Sequence, residues 1–211
     1  MKITKSQNFE KELPEGYKQA LYINAKAPKF GIIFNIIALV IMVLVMVVAN
    51  IPLYINGELS WNIIRAGSGN VMTSELIVIA TLLAYIVYIV LHELVHGIAY
   101  KSLTGEKLTF GVSLTCAFCG VPHIFTYRKT ALIAVLSPFV LFTLIFLPIA
   151  VALYFVSPLY YLLSALLFAA HLGGCCGDLY VSYLIMVKFR KKQLLMRDTG
   201  PEQFFYIRDE K

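Results

Sequence analysis

Four long apolar runs constrain the fold of this chain more than any other feature. They cover residues 30–51, 76–100, 131–151 and 159–187, and a helix needs about 20 mostly apolar residues to cross a bilayer. Charged residues make up 14% of the chain and hydrophobic residues 59%, whereas a soluble domain has about 25% charged residues. The sequence therefore predicts an all-α membrane protein with four transmembrane helices.

Basic residues between the apolar runs predict the orientation of these helices. Lys and Arg are frequent before residue 30, between the second and third runs, and after residue 187, but Arg65 is the only one within residues 52–73 and residues 148–158 have none. Segments rich in Lys and Arg stay on the cytoplasmic side. We expect a multi-pass protein of the cell membrane, with a cytoplasmic N-terminal tail (1–29), a membrane domain (30–187) and a cytoplasmic C-terminal tail (188–211).

The basic residues that flank the apolar runs also account for the net charge of +6. Basic residues that flank membrane spans contact anionic lipid headgroups. We therefore expect the lipid bilayer, and no nucleic acid, as a partner of these side chains.

The segment between the second and third runs has a different pattern. Apolar residues at positions 108, 110, 112 and 114 alternate with polar or small residues, which is typical of a β-strand. A plain amphipathic loop is the alternative. We predict a β-hairpin or re-entrant segment on the cytoplasmic side, within residues 105–127.

The second run contains the motif His92-Glu93-Leu94-Val95-His96. Residues one helical turn apart project from the same face, so His92 and His96 can both bind one zinc ion. Glu93 lies close enough to act as general base toward a zinc-bound water, whose pKa the metal lowers to about 7. The alternative is a pair of histidines that bond their neighbours while Glu93 faces water.

The position of the motif within an apolar run favours a metal site over histidines that only bond their neighbours. Residues 82–91, which lead into it, are apolar or aromatic. Ionisable residues in a membrane helix are costly and usually face the protein interior or a water-filled cavity. A cluster of three such residues in five positions therefore indicates a functional site.

A catalytic zinc needs a third protein ligand, and the apolar runs offer few acids for this role. Glu75 lies at the entrance of the second run and Asp178 lies in the fourth. At 1.5 Å per residue, Asp178 and the two histidines are expected at similar depth on the cytoplasmic side. We predict that Zn²⁺ is bound by His92, His96 and Asp178, the alternative being that Asp178 bonds a backbone group or Ser and that the glycines before it only pack helices.

Other candidate groups are weaker. His171 precedes Asp178 by two turns, and a polar contact between helices is favoured over metal binding. His123 belongs to the hairpin segment and could approach the site from outside the helices. A structural zinc held by the four cysteines is a further alternative, resting on one Cys-x-x-Cys pair; they are Cys116, Cys119, Cys175 and Cys176.

Taken together, His92-Glu93-Leu94-Val95-His96-Gly97, the hairpin-like segment, Ser137-Pro138 and the late Gly177-Asp178 resemble the site-2 protease class of intramembrane metallopeptidases. The closer resemblance is to a bacterial family of membrane zincin peptidases, over about residues 76–187. The resemblance implies zinc held by His92, His96 and Asp178 with Glu93 as general base, and cleavage of a peptide bond in or near a membrane segment. Site-2 proteases commonly have an Asn-Pro-Asp-Gly type motif where this chain has Gly-Gly-Cys-Cys-Gly-Asp.

These observations favour a zinc-dependent endopeptidase that acts on a membrane-spanning or membrane-associated peptide or protein. A non-catalytic membrane protein (immunity, transport or scaffold) with a structural or sensory metal site is the main alternative. A zinc hydrolase that acts on lipid or another non-peptide bond is a third. The substrate itself is not predicted by the sequence.

Overall fold

The computed structural model describes residues 8–59, 71–113 and 117–208, with residues 71–74 described for the backbone alone. The helices are α1 (Pro28–Ile55), α2 (Val71–Thr104), α3 (Arg128–Tyr154), α4 (Pro158–Gly174) and α5 (Cys176–Tyr183), and α5 continues into a π-helical turn at Leu184–Lys188. Four stretches are long and apolar enough to cross a membrane: Pro28–Ile55, Glu75–Thr104, Arg128–Tyr154 and Pro158–Lys188. Each contains one of the four predicted runs, so the prediction of a mostly helical chain with four helices apolar enough to span a membrane is confirmed.

A five-stranded antiparallel sheet accompanies the helices. Its strands are β1 (Phe9–Glu10), β2 (Lys18–Asn24), β5 (Phe125–Tyr127), β6 (Gln193–Asp198) and β7 (Glu202–Arg208), in the order β1-β5-β6-β7-β2. The predicted all-α class is therefore wrong in omitting this sheet, most of whose strands come from the two segments predicted as tails and pair over long sequence distances. The pairing of β2 with β7, from Lys18↔Ile207 to Asn24↔Glu202, joins the two ends of the chain.

A separate two-stranded sheet lies between α2 and α3. Strand β3 (Thr109–Val112) pairs with β4 (Ala117–Gly120), from Thr109↔Gly120 to Val112↔Ala117. This pairing is the hairpin that the alternating pattern predicts. Leu114 and Cys116 lie outside the described residues, and the side of the membrane on which the hairpin lies stays a prediction.

The chain divides into two compact units. The first comprises Met1–Asn35, Val90–Pro138 and Gly177–Lys211. Its core packs one face of the five-stranded sheet, through Met196 and Phe205, against Ala131 of α3 and Ile185 of the π-helical turn. The Arg128 guanidinium donates to three carbonyl groups at the end of the fourth span, those of Ile185, Phe189 and Lys192. It thereby satisfies acceptors that a helix end leaves without intrahelical partners.

The second unit comprises Ile36–Ile89 and Phe139–Cys176. His171 of α4 is fully buried there, with Nδ1 2.8 Å from the Tyr88 hydroxyl and Nε2 3.1 Å from the Thr143 hydroxyl. A Cβ added to Gly173 would lie 2.7 Å from the Ala38 carbonyl oxygen, so α4 and α1 approach closely at a residue without a side chain. These contacts are the polar and small-residue packing expected between membrane helices.

Candidate metal centre

Three of the predicted site residues converge in the first unit. The Nε2 atom of His92 lies 3.2 Å from Asp178 Oδ2, and the Nε2 atom of His96 lies 3.4 Å from Asp178 Oδ1. Their ligand atoms all lie within 4.8 Å of one another. Both histidines are buried, at 8% and 7% exposure, so the cluster is largely withdrawn from the surface.

The helices explain this convergence. His92 and His96 lie one turn apart on α2 and therefore share a face. Asp178 lies in the first turn of α5, just after α4 ends and Cys175 caps it. This break in the fourth span places the carboxylate near a helix N-terminus, where negative charge is favoured.

A backbone contact fixes the orientation of His96. Its Nδ1–H donates to the Ala134 carbonyl oxygen at 2.8 Å. A neutral imidazole that donates through Nδ1 has a lone pair on Nε2, and this lone pair faces Asp178 Oδ1. A positively charged species, either a proton or a metal ion, is required between the two atoms.

The distances fit a metal ion. Ligands about 2.0–2.2 Å from a tetrahedral zinc lie about 3.3–3.6 Å from each other, close to the two separations between histidine and aspartate. Metal-binding histidines commonly donate their other ring N–H to a backbone carbonyl, as His96 does. The three side chains therefore could hold a divalent metal ion.

Glu93 lies beside this cluster and is partly buried. The backbone N–H of Cys119 in β4 donates to its carboxylate, so the hairpin reaches the predicted general base. Gly97 faces the same hairpin, because a Cβ added there would lie 2.6 Å from the Phe110 ring. Strand β3 therefore packs against the glycine that follows the motif on α2.

The remaining candidates are not members of this cluster. His123 is exposed in the turn between β4 and β5. His171 belongs to the second unit, where it contacts Tyr88 and Thr143. Among the described residues, Cys119, Cys175 and Cys176 form no disulfide bond and no candidate metal cluster contains two cysteines, while Cys116 lies outside those residues. Burial raises the pKa of Cys119 to about 12, and the charges of Glu93 and Asp198 act in the same direction.

Sequence reasoning missed one buried polar pair near the site. The Tyr100 hydroxyl donates to Asp198 Oδ2 at 2.7 Å, and both residues are almost fully buried. Burial raises the pKa of Asp198 to about 6, against the lowering effects of the Tyr100 and Gly200 hydrogen bonds. Tyr100 follows His96 by one turn, which places it on the same face of α2 as the two histidines, but nothing in the local sequence of Asp198 signals the pairing.

Comparison with known proteins agrees with the family resemblance. The family described as "Putative zincin peptidase" matches residues 85–193, just over half of the chain and all three residues of the cluster. Neither a curated protein nor a solved structure matches the chain. On the extent of this match, the chain belongs to the zincin peptidase family so described.

Proposed function

We propose that this protein is a zinc-dependent endopeptidase that cleaves peptide bonds within or close to the membrane. The observation that carries the proposal is the convergence of the two motif histidines and Asp178 on one point, with Glu93 beside it. Family membership supports it, and the motif resembles that of site-2 proteases, a relationship that belongs to the same proposal.

The ligand set supports zinc in particular. Two imidazole nitrogens and one carboxylate make up a three-ligand site of the kind that catalytic zinc occupies, with a fourth position left for water or substrate. When bound, zinc supplies a Lewis acid that polarises a carbonyl group and makes a water molecule more acidic. We therefore assign His92, His96 and Asp178 as ligands.

Glu93 performs the proton transfers. Its carboxylate takes a proton from the attacking water and then gives that proton to the leaving amine as the peptide bond breaks. The Cys119 N–H holds the carboxylate from the hairpin side, which restricts its orientation before substrate arrives.

The hairpin offers a surface for an extended substrate. Among the described residues, β3 pairs only with β4, so no described strand occupies its other edge. Phe110 is 49% exposed and Val112 is 84% exposed. A substrate segment that unwinds from helix to strand could add to this edge through backbone hydrogen bonds.

The proposal includes a location of this protein in the cell membrane. Four helices suited to spanning a membrane, together with the distribution of Lys and Arg, support a multi-pass protein of the cell membrane with both termini in the cytoplasm. The metal site then lies toward the cytoplasmic side, and the substrate is a membrane-spanning or membrane-associated protein.

Reconstituted protein tests the proposal. Purified wild type, Glu93→Gln and Glu75→Gln are placed in liposomes with synthetic peptides that contain a 20-residue apolar segment (a length that spans a bilayer), and fragments are identified by mass spectrometry. Removal of a general base is expected to slow cleavage about 100-fold or more. Glu75→Gln, which changes an exposed acid on the same helix, should leave cleavage unchanged.

The other outcomes separate the alternatives. Equal cleavage by wild type and Glu93→Gln would contradict the proposal. Zinc binding without cleavage of any peptide would favour a non-catalytic metal site, and release of lipid headgroups from the liposomes would favour a hydrolase of non-peptide bonds.

A further inference from the structure

The turn between β6 and β7 is held by a buried carboxylate. Asp198 is 3% exposed; its Oδ2 accepts the Tyr100 hydroxyl at 2.7 Å and its Oδ1 accepts the Gly200 N–H at 2.8 Å. Both oxygens therefore have donors within the protein. One donor belongs to the turn itself and the other to α2, one helical turn after His96.

The same turn lies directly against strand β4. The Val121 N–H donates to the Asp198 carbonyl oxygen at 2.8 Å. A Cβ added to Gly120 would lie 2.2 Å from the Gly200 nitrogen, and one added to Gly200 would lie 2.4 Å from the Phe118 ring. Both glycines are thus required for this close approach, and Gly200 also has a positive φ of 98°.

Strand β4 in turn contacts the predicted general base. Cys119, whose N–H donates to the Glu93 carboxylate, lies between Phe118 and Gly120, the two residues that touch the turn. The contacts form a closed circuit. Tyr100 of α2 contacts Asp198, the β6–β7 turn contacts β4, and Cys119 of β4 contacts Glu93 of α2.

We infer that Asp198 is a positioning residue for Glu93, acting through the β6–β7 turn and strand β4. The inference rests on the proposed function, because it assumes that Glu93 is the general base. A buried carboxylate is costly unless it is well hydrogen-bonded, and apolar packing would join a sheet to a helix at less cost. The Asp198 carboxylate instead fixes the orientation of the turn relative to α2, because it accepts hydrogen bonds from both elements.

This assignment extends the functional machinery beyond the segment that the family description covers. Asp198 follows the matched residues 85–193. The sheet formed by the two ends of the chain therefore contributes to the geometry of the active site, although none of its residues belongs to the metal cluster.

Hydrogen exchange tests the inference without any substrate. In purified, zinc-loaded protein, Asp198→Ala is expected to raise the exchange rate of backbone amides in residues 117–121 on the order of tenfold, because β4 loses its support. In Asp198→Asn the amide oxygen can still accept the Gly200 N–H, and the amide N–H can donate to the Tyr100 hydroxyl in the reversed direction, so this variant should restore most of the protection. Unchanged exchange in Asp198→Ala would overturn the inference.

Thr126→Val is the matched control. Thr126 is fully buried in β5 and its hydroxyl donates to the Met196 carbonyl oxygen at 2.9 Å, so its loss weakens the same sheet without touching the β6–β7 turn. Exchange in residues 117–121 should stay at the wild-type rate in this variant. Equal increases in Thr126→Val and Asp198→Ala would mean that Asp198 only stabilises the sheet, and would overturn the inference.

Kinetics supply the second readout. On a peptide that wild type cleaves in the liposome assay, Asp198→Ala should lower kcat about 10- to 100-fold with little change in KM, while zinc content stays at the wild-type level. A raised KM with unchanged kcat would contradict a role in positioning the base. If wild type cleaves no peptide, the proposed function fails, whereas the exchange experiment still decides whether Asp198 supports β4.

Discussion

The Nδ1 nitrogen of His96 lies 2.8 Å from the carbonyl oxygen of Ala134, and this contact determines which imidazole nitrogen faces Asp178. Because a carbonyl oxygen only accepts, Nδ1 carries the proton and Nε2 is left for a metal ion. The orientation of one proposed ligand is therefore set by the backbone of α3, which no side-chain substitution at Ala134 removes.

Nitrogen-15 NMR of histidine-labelled protein tests this orientation. Addition of zinc to metal-free protein should shift the His96 Nε2 resonance while Nδ1 stays protonated. Assignment comes from the spectrum of His96→Ala. A zinc-dependent shift at Nδ1 would show that the ring binds metal through the opposite nitrogen.

Asp198 should make the stability of the protein depend on pH. Burial raises its pKa from 3.8 to about 6 in the folded chain, under the influence of Tyr100, Gly200, His96 and Glu93. Between about pH 4 and pH 6 the unfolded chain loses this proton while the folded chain keeps it, so the free energy of unfolding falls as pH rises. Above pH 6 the free energy of unfolding is therefore about 3 kcal/mol lower than it is below pH 4.

Denaturation of the purified protein in detergent at several pH values measures this effect. Wild type should lose stability across the window, and Asp198→Asn, which cannot ionise, should show a flatter profile there. Parallel profiles for the two proteins would contradict the raised pKa.

Two adjacent glycines of α4 should respond in opposite ways to alanine. A Cβ at Gly173 would meet the Ala38 carbonyl oxygen at 2.7 Å, whereas one at Gly174 would meet no atom within 4 Å. Gly173→Ala is expected to destabilise by about 1–3 kcal/mol through overpacking. Gly174→Ala should be neutral or stabilise by up to about 1 kcal/mol through helix propensity. Unfolding in detergent compares them, and equal effects would contradict the close packing of α4 on α1.

His171 should matter for stability and not for metal binding. Replacement by Phe deprives the Tyr88 and Thr143 hydroxyls of their contacts with the ring, at an expected cost of about 1–3 kcal/mol. Tyr88→Phe removes one of those contacts and should cost less. Zinc content should equal that of wild type in both variants, and its loss in His171→Phe would show that this histidine is a metal ligand.

The sequence predicts those parts of the fold that depend on local patterns. The spans follow from apolar length, and β3 follows from the alternation around Phe110. His92 and His96 are recognisable because their spacing matches one helical turn, and Asp178 because acids are scarce in apolar helices. The prediction that these three bind zinc awaits measurement.

The five-stranded sheet was not predictable in the same way. Strand β7 reads Glu-Gln-Phe-Phe-Tyr-Ile-Arg and lacks clear alternation. Its partner β2 lies near the other end of the chain, so the pairing depends on long-range contacts. The Tyr100–Asp198 contact joins residues 98 positions apart, and a single aspartate in a polar terminal segment has no local feature that indicates burial.

The central claim is a zinc ion held by His92, His96 and Asp178, and elemental analysis of detergent-purified protein tests it most directly. Wild type, His92→Ala and Asp178→Asn are compared after exposure to zinc and removal of the excess, with Asp198→Asn as a control outside the cluster. The account predicts one zinc per chain in wild type and in Asp198→Asn, and loss of that zinc in the other two variants. Absence of zinc from wild type after supplementation, or its retention in His92→Ala and Asp178→Asn, would contradict the account.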